Sequence, residues 1–216
     1  MSALKIVILF VLGLIIGTSL VYLDIELSLF TVFIIIFVIS MIFYYSYYFY
    51  IMFFTKNVNV VDKFINKKNK HSYYLLLIAI VEKKYDDAER YMKKLGSVYN
   101  QTKIAIHASI QLEKKNLEEA EETILKIKNH NIRNHNLALL ALLQGRWELF
   151  KKNKNQVKHA GMKYALMAEA AFIRKESVEA EKFGELAISS SAGLQKWLLV
   201  KSLEHQRNTK DRQFFF

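Results

Sequence analysis

Cysteine and proline are absent from this 216-residue chain, and glycine is scarce. Without cysteine there can be no disulfide scaffold, no thiolate metal site and no cysteine nucleophile. Because proline breaks helices, its absence favours a chain that is almost entirely helical. The seven glycines form neither a G-x-G-x-x-G nor a G-x-x-x-x-G-K-[ST] pattern, so the sequence carries no nucleotide-binding fingerprint.

Charge is distributed unevenly along the chain. Residues 1–55 contain only three acidic or basic side chains, which are Lys5, Asp24 and Glu26. The rest of the chain carries 30 of the 31 Lys and Arg residues and 18 of the 20 Asp and Glu residues. The sequence therefore predicts an apolar N-terminal segment followed by a basic, water-exposed region.

Two apolar runs lie within residues 1–55, at about residues 6–23 and 27–54. About 20 apolar residues are needed for a helix to cross the hydrocarbon core of a membrane, so each run is long enough. A signal peptide is the alternative for the first run, but no small-residue cleavage site follows it and the second run begins almost at once. We therefore predict two transmembrane helices.

The charges that flank the two predicted spans indicate their orientation. Lys5 precedes the first span, and the connection Asp24-Ile25-Glu26 is acidic only. Several lysines follow the second span: Lys56, Lys63, Lys67, Lys68 and Lys70. Because basic flanks are retained in the cytoplasm, we expect both termini to be cytoplasmic and the connection to lie on the other side.

Gly13 and Gly17 form a G-x-x-x-G pattern in the first predicted span. Small residues at this spacing allow a second helix to approach closely in lipid. The pattern predicts packing against the second span of the same chain, or alternatively a dimer contact in a homo-oligomer.

Residues 56–70 alternate apolar and basic side chains at a spacing close to that of a helix. Lysines near anionic lipid are stabilised by about 1 kcal/mol each. We predict a basic interfacial helix that lies on the membrane surface.

An internal repeat organises residues 71–206. The segment that begins at Tyr85 parallels the segment that begins at Leu117, which places Ala88 and Ala120 in the same register. Phe150 and Ala180 follow at intervals of 30 residues. An apolar helix precedes each of these points, so the sequence predicts four helix–turn–helix units at a period close to the 34 residues of a tetratricopeptide repeat.

The predicted fold is therefore all-α, with a two-helix transmembrane hairpin over residues 1–55 and a tetratricopeptide-like α-solenoid over residues 71–206. A helix over 191–205 is expected to cover the last repeat, and residues 207–216 are expected to form a frayed tail. Stacked helix pairs bury a continuous core that one pair cannot form alone.

The connection between the predicted spans resembles that of the HemY N-terminal family, on the residues Asp24, Ile25, Glu26, Ser28 and Leu29. In that family the tip carries an Ile-Glu pair and then Ser-Leu before the second span. The order of parts is also similar, with two spans, a basic helix and then tetratricopeptide repeats, although the array of this chain is short for the family.

The resemblance implies a multi-pass protein of the inner membrane that is associated with haem biosynthesis. It implies a non-enzymatic scaffold that organises late haem-pathway enzymes at the cytoplasmic face, without a cofactor of its own. Two other functions stay open on the sequence: a general membrane-anchored scaffold for envelope assembly, and a tetrapyrrole carrier.

Repeats of this class bind partners along the groove that their first helices line. The alignment of the repeats predicts that groove, and an apolar partner helix or peptide would suit it. Internal packing is the alternative for the same residues, which are Tyr73, Leu77, Ile80, Leu112, His135, Leu139, Leu142 and Phe172.

A basic patch follows the third repeat, with no acidic residue between Glu148 and Glu169. It could bind an acidic partner or the anionic membrane surface, or be an ordinary solvated face. Aromatic residues do not alternate with these lysines, so nucleic acid is not the expected partner. The patch consists of Lys151, Lys152, Lys154, Lys158 and Lys163.

The sequence predicts no catalytic or metal-binding residues. The six histidines do not form the H-E-x-x-H spacing, and His130 and His135 are expected to be solvated loop residues. Pairs of glutamates are expected on exposed helix faces, where nothing shifts their pKa values toward those of a catalytic acid and base.

Overall fold

The structure, a computed structural model, describes Gly13 and residues 28–68, 70–209 and 212–216. These residues form eleven α-helices and no strand, which confirms the all-α prediction. The chain divides into two compact units, Met1–Tyr50 and Ile51–Phe216.

The first unit contains helix α1 (Leu29–Phe49), which begins after Ser28. The Ser28 hydroxyl accepts a hydrogen bond from the backbone N–H of Thr31 at 3.2 Å and so caps the helix. The first predicted span and Gly17 lie outside the described residues, as do Asp24, Ile25 and Glu26 of the tip. Gly13 is helical, and none of the described residues lies within 4 Å of the position that its Cβ would occupy.

A π-helical turn, Tyr50–Phe54, follows α1. The helical stretch Phe30–Phe54 is 25 residues long and contains an 18-residue window with a mean hydropathy of 2.1. Within the described part of the chain it is the one helix that is long and apolar enough to cross a membrane. It coincides with the second predicted span.

Ten helices follow in the second unit. Eight of them form four antiparallel pairs, and we call the first helix of each pair its A helix and the second its B helix. The ten are α2 (Val58–Lys67), α3 (Ser72–Val81), α4 (Tyr85–Lys94), α5 (Asn100–Glu113), α6 (Leu117–Leu125), α7 (His130–Leu143), α8 (Trp147–Gln156), α9 (Ala160–Ile173), α10 (Ser177–Ser189) and α11 (Gly193–Arg207). The pairs are α3 with α4, α5 with α6, α7 with α8, and α9 with α10.

The same turn joins the two helices of every pair. One residue in each turn has a positive φ, and these residues recur at intervals of 32, 30 and 30 along the chain: Lys83, Lys115, Gly145 and Lys175. The N–H of the next residue donates to the carbonyl five residues earlier, as in the bond from Arg146 to Ala141 at 2.8 Å. This is a Schellman cap. A lysine in the left-handed region costs about 1 kcal/mol, so packing on both sides must hold the turns.

The B helices are in the register that the sequence predicted. Small residues at one equivalent position are buried against the A helix, namely Ala88, Ala120 and Ala180. In the third pair Phe150 occupies this position, and the ring of Trp147 packs on it edge-on with centroids 6.0 Å apart. The larger side chain fills the centre of the third pair without changing the turn.

Helix α2 packs its apolar face on α11. Its apolar side chains Val61 and Ile65 are fully buried, and Trp197 of α11 donates its indole N–H to Asp62 at 2.8 Å. The apolar face of α2 is therefore covered by α11, and the placement of this helix on the membrane surface stays a prediction. The lysines of the segment are exposed, as expected.

Helix α11 is the helix that was expected to cover the last repeat, but it also packs on α2 and α3. It begins at Gly193, whose N–H donates to the carbonyl of Thr55 at 2.7 Å. Gly193 has φ +54, and a Cβ there would lie 2.0 Å from the carbonyl oxygen of Met52. Only glycine therefore allows the backbones to approach this closely.

Candidate partner-binding groove

We call the surface that the A helices α3, α5, α7 and α9 form together the A-helix face. The residues predicted to line a groove on it fall at three equivalent positions of the pairs. Tyr73 and His135 lie ten residues before the left-handed turn residue, and Leu77 and Leu139 lie six residues before it. The third position, three residues before the turn, holds Ile80, Leu112, Leu142 and Phe172.

Three of these eight side chains are not available to a partner. Leu77, Leu112 and Leu142 are buried inside the unit, so the prediction that they line a groove is wrong. Leu112 packs with Ala120 and Ile124 of the neighbouring B helix, because its position faces the interior of its own pair.

The other five side chains are half-buried. Tyr73 stacks on Tyr99 with ring centroids 5.3 Å apart, and Phe172 contacts the ring of Phe215 edge-on at 6.3 Å. Ile80 and Leu139 lie at the edges of hydrophobic clusters. His135 is the fifth of these half-buried side chains.

His135 lies within α7 and not in a solvated loop. Its Nδ1 is buried and has no hydrogen-bond partner among the described residues. Burial lowers the pKa of the imidazole to about 4, against a smaller opposing effect from the backbone of Met162. The side chain is therefore neutral at pH 7. His130, at the start of α7, is exposed and pairs with Arg133 at 2.8 Å.

Part of the expected frayed tail, Arg212–Phe216, packs on α9 of the A-helix face and against α10 and α11. Phe215 is 1% exposed, and Phe214 is also buried. We call residues Arg212–Phe216 the aromatic segment. Its apolar side chains favour packing, because burial removes them from water. The repeat pattern ends before this segment and therefore did not predict that it packs.

Glu169 of α9 holds the aromatic segment by its main chain. One carboxylate oxygen accepts from the N–H of Phe215 at 2.9 Å, and the other accepts from the N–H of Phe216 at 2.9 Å. Gln206 of α11 donates to the carbonyl of Phe216 at 3.4 Å. A carboxylate that accepts from two consecutive backbone N–H groups holds the main chain in a bent conformation, because such groups point to opposite sides of an extended chain.

The ring of Phe215 occupies a space that only a glycine leaves open. A Cβ on Gly184 of α10 would lie 2.3 Å from the ring. The ring belongs to one buried cluster with Ala168, Ala171 and Leu203. We call the space between α9, α10 and α11 that holds Phe215 the slot.

Arg212 packs over the slot. Its guanidinium lies 4.9 Å from the ring centroid of Phe172 and 4.6 Å from that of Phe215. It also donates to the carbonyl oxygens of Phe214 at 3.0 Å and Phe215 at 2.6 Å. These bonds hold the backbone of the segment in the conformation in which the N–H groups of Phe215 and Phe216 reach the carboxylate of Glu169.

Burial raises the pKa of the Glu169 carboxyl to about 7. The two backbone donors of Phe215 and Phe216 act in the opposite direction, as does the charge of Lys83, whereas Glu113 raises the pKa further. The carboxyl group therefore titrates near neutral pH.

An open cleft of about 250 Å³ lies beside Phe214. Lys83 pairs with Glu113 at 2.6 Å, and the hydroxyl of Tyr85 donates to the same carboxylate oxygen. Burial and this carboxylate raise the pKa of the Tyr85 hydroxyl. The cleft is lined by Lys83, Tyr85, Glu113, His205, Gln206, Thr209, Gln213 and Phe214.

The lysines of the basic patch lie on α8, in the turn that follows it and on α9. Lys151 pairs with Glu148 at 2.8 Å, and Lys154 lies 5.7 Å from the ring centroid of Phe150. Lys152 and Lys158 are exposed and Lys163 is half-buried, and none of the three has an ion pair with another described residue. Among the described residues there is no group of three or more His, Asp or Glu side chains that could hold a metal ion.

Sequence reasoning missed Glu169, Gly184, Arg212 and Phe215. One signal was present for Glu169: it is the single acidic residue in the apolar helix 164–173. It also occupies the repeat position that holds Leu77 and Leu139 in other pairs, where a charge needs a partner.

Comparison with known proteins finds no matching family model, no similar curated protein and no similar solved structure. The resemblance at Asp24–Ser28 therefore stays a prediction, and residues 24–27 lie outside the described part of the chain.

Proposed function

We propose that this chain is a non-enzymatic, membrane-anchored scaffold that binds protein partners on its A-helix face. The observation that carries the proposal is the way this face holds the aromatic segment. Main-chain bonds to Glu169 and a shaped slot for Phe215 are features of a site that binds a peptide segment.

The repeated architecture supports a tetratricopeptide-like solenoid as the form of this scaffold. Four helix pairs with one turn geometry recur at intervals close to the 34 residues of that repeat. Neighbouring A helices pack on each other, as α5 does on α7 and α7 on α9. Such stacks present extended surfaces to partners.

The apolar N-terminal region supports membrane anchoring. The stretch Phe30–Phe54 can cross a membrane by length and hydropathy. The run over residues 6–23 is similarly apolar in sequence, so we propose a two-span hairpin with both termini in the cytoplasm.

The identity of the partners is proposed from the resemblance of the tip. It points to late haem-pathway enzymes, gathered at the cytoplasmic face of the inner membrane. A scaffold for other envelope proteins would use the same surface, so the partners must be identified directly.

Crosslinking of the full-length protein in intact membranes, followed by mass spectrometry, tests the proposal. One control lacks residues 71–216, and a second carries Lys152→Glu and Lys158→Glu on the exposed basic patch. We expect enrichment of late haem-pathway enzymes over the deletion control and retention of that enrichment in the charge variant. Capture of unrelated envelope proteins would remove the haem link, and capture equal to the deletion control would contradict the scaffold.

A further inference from the structure

The aromatic segment occupies the place where the regular stacking of A helices stops. Helix α9 packs on α7 as the earlier A helices do, whereas α11 packs on α2, α3 and α10. The slot lies between α9, α10 and α11, and Phe215 fills it. The last helix pair is therefore covered by a non-helical peptide segment together with α11.

The contacts of Glu169 and Gln206 with this peptide are independent of its sequence, because Glu169 bonds to two main-chain N–H groups and Gln206 bonds to a carbonyl. The bonds of Arg212 to the carbonyls of Phe214 and Phe215 do depend on the sequence, because Arg212 belongs to the segment. Only the side chain of Phe215 is selected by shape, because Gly184 and two alanines leave room for one flat ring. Phe214 lies beside an open cleft, so that position tolerates a larger side chain.

Glu169 gives the slot a preference for a peptide main chain. Its carboxylate is buried, and each oxygen accepts one N–H of the segment, which offsets part of the cost of burial. A main-chain N–H pair satisfies both oxygens at once, which a lipid tail would not do. The chemistry of the slot therefore selects a peptide main chain and not a lipid.

We propose that the slot is a recognition site for a peptide segment that places one aromatic ring in the slot and two consecutive main-chain N–H groups on Glu169, and that Arg212–Phe216 is its resident occupant, which a partner segment of the same chemistry displaces. The inference rests on the proposed scaffold function and names the class of partner. Displacement makes partner binding competitive with the chain's own segment.

Exchange of the segment is measured on the full-length protein in lipid nanodiscs. A protease site is introduced at the exposed residues Asn208–Thr209, and the folded protein is cut in place. The probe is a fluorescent peptide with the sequence of residues 208–216. We expect the probe to bind the cut protein at least tenfold more tightly than the uncut protein, in which the resident segment competes.

Two matched changes test the specificity of the site. A probe with Phe215→Ala should bind the cut protein at least tenfold more weakly, because the ring that fills the slot is missing. Glu169→Gln in the protein should weaken the intact probe by roughly tenfold, because a charge-assisted acceptor is lost. Equal binding of both probes would overturn the proposal.

The segment could instead be a permanent part of the core. In that case cutting would leave the probe unbound, or would unfold the helices on release of the segment, and either result overturns the proposal. If the inserted site prevents folding, the uncut Phe215→Ala protein replaces it, and tighter probe binding than in the wild type is expected. Failure of exchange leaves partner capture by crosslinking intact, and capture can fail while exchange succeeds, so the two proposals are separable.

Discussion

Two buried titratable side chains act on stability in opposite directions. Glu169 has its pKa raised from 4.5 to about 7, so the folded protein binds more protons than the unfolded chain between those values. Its contribution to stability therefore falls as pH rises through that window. His135 has its pKa lowered from 6.5 to about 4, so its contribution rises with pH between those values. The two effects offset each other over most of their range.

Replacing either Glu169 or His135 should make the effect of the other on the pH dependence of stability measurable. Glu169→Gln leaves His135 alone, so the melting temperature should increase more steeply from pH 4.5 to 7 than in the wild type. His135→Gln should have the opposite effect, a decrease with rising pH. Between pH 4.5 and 7, the change in the free energy of unfolding of each variant should differ from that of the wild type by on the order of 3 kcal/mol. One pKa unit corresponds to about 1.4 kcal/mol. Thermal unfolding followed by circular dichroism measures this, and parallel curves for all three proteins would contradict the assignment.

At the scale of the helix, Gly184 separates helix propensity from packing. Alanine is more favourable than glycine inside a helix by up to about 1 kcal/mol, and Gly184 lies within α10. A Cβ at this position would collide with the ring of Phe215 at 2.3 Å. The two effects have opposite signs, and the ring decides which of them prevails.

We therefore expect Gly184→Ala to destabilise the wild type and to stabilise the Phe215→Ala variant by up to about 1 kcal/mol. The four proteins form a double-mutant cycle, measured by thermal unfolding in the same detergent. Destabilisation of the same size in both backgrounds would mean that Phe215 does not occupy the space beside Gly184.

The helical pairs could be predicted from the sequence because they depend on local pattern. The alanines at 88, 120 and 180 and the turns that precede them recur at a nearly constant interval, and each lies where that interval places it. Lysine in the left-handed position of three turns could not be predicted, since packing on both sides overrides its own preference.

The candidate site depends on contacts between residues that are distant in sequence. Phe215 meets Glu169 across 46 residues, and Trp197 meets Asp62 across 135. Nothing in the local pattern of an aromatic run or an interfacial helix specifies such a contact. The sequence therefore predicted the A-helix face but neither its occupant nor the burial of α2.

At the scale of the second unit, α11 connects the end of the repeats to the segment before α2. Gly193 has a positive φ and lies against the carbonyl of Met52. Gly193→Ala should separate these elements and lower the melting temperature, with a cost of more than about 1 kcal/mol from backbone strain alone. Gly96→Ala is the matched control, because nothing lies within 4 Å of that position. Equal melting temperatures for the two variants would contradict the close contact at Gly193.

For the whole molecule, the number of spans decides which side of the membrane each terminus occupies. If both apolar runs cross, the N-terminus and the repeats lie in the same compartment, whereas a single span at Phe30–Phe54 would place them on opposite sides. Lys5 before the first run and the lysines at 56–70 after the second favour two spans with the N-terminus and the array in the cytoplasm. We expect a reporter active only outside the cytoplasm to be silent when fused after either Met1 or Phe216 and active when inserted at the tip. Activity at Met1 alone would establish a single span and leave the array cytoplasmic, and activity at Phe216 would reverse the orientation of the repeats.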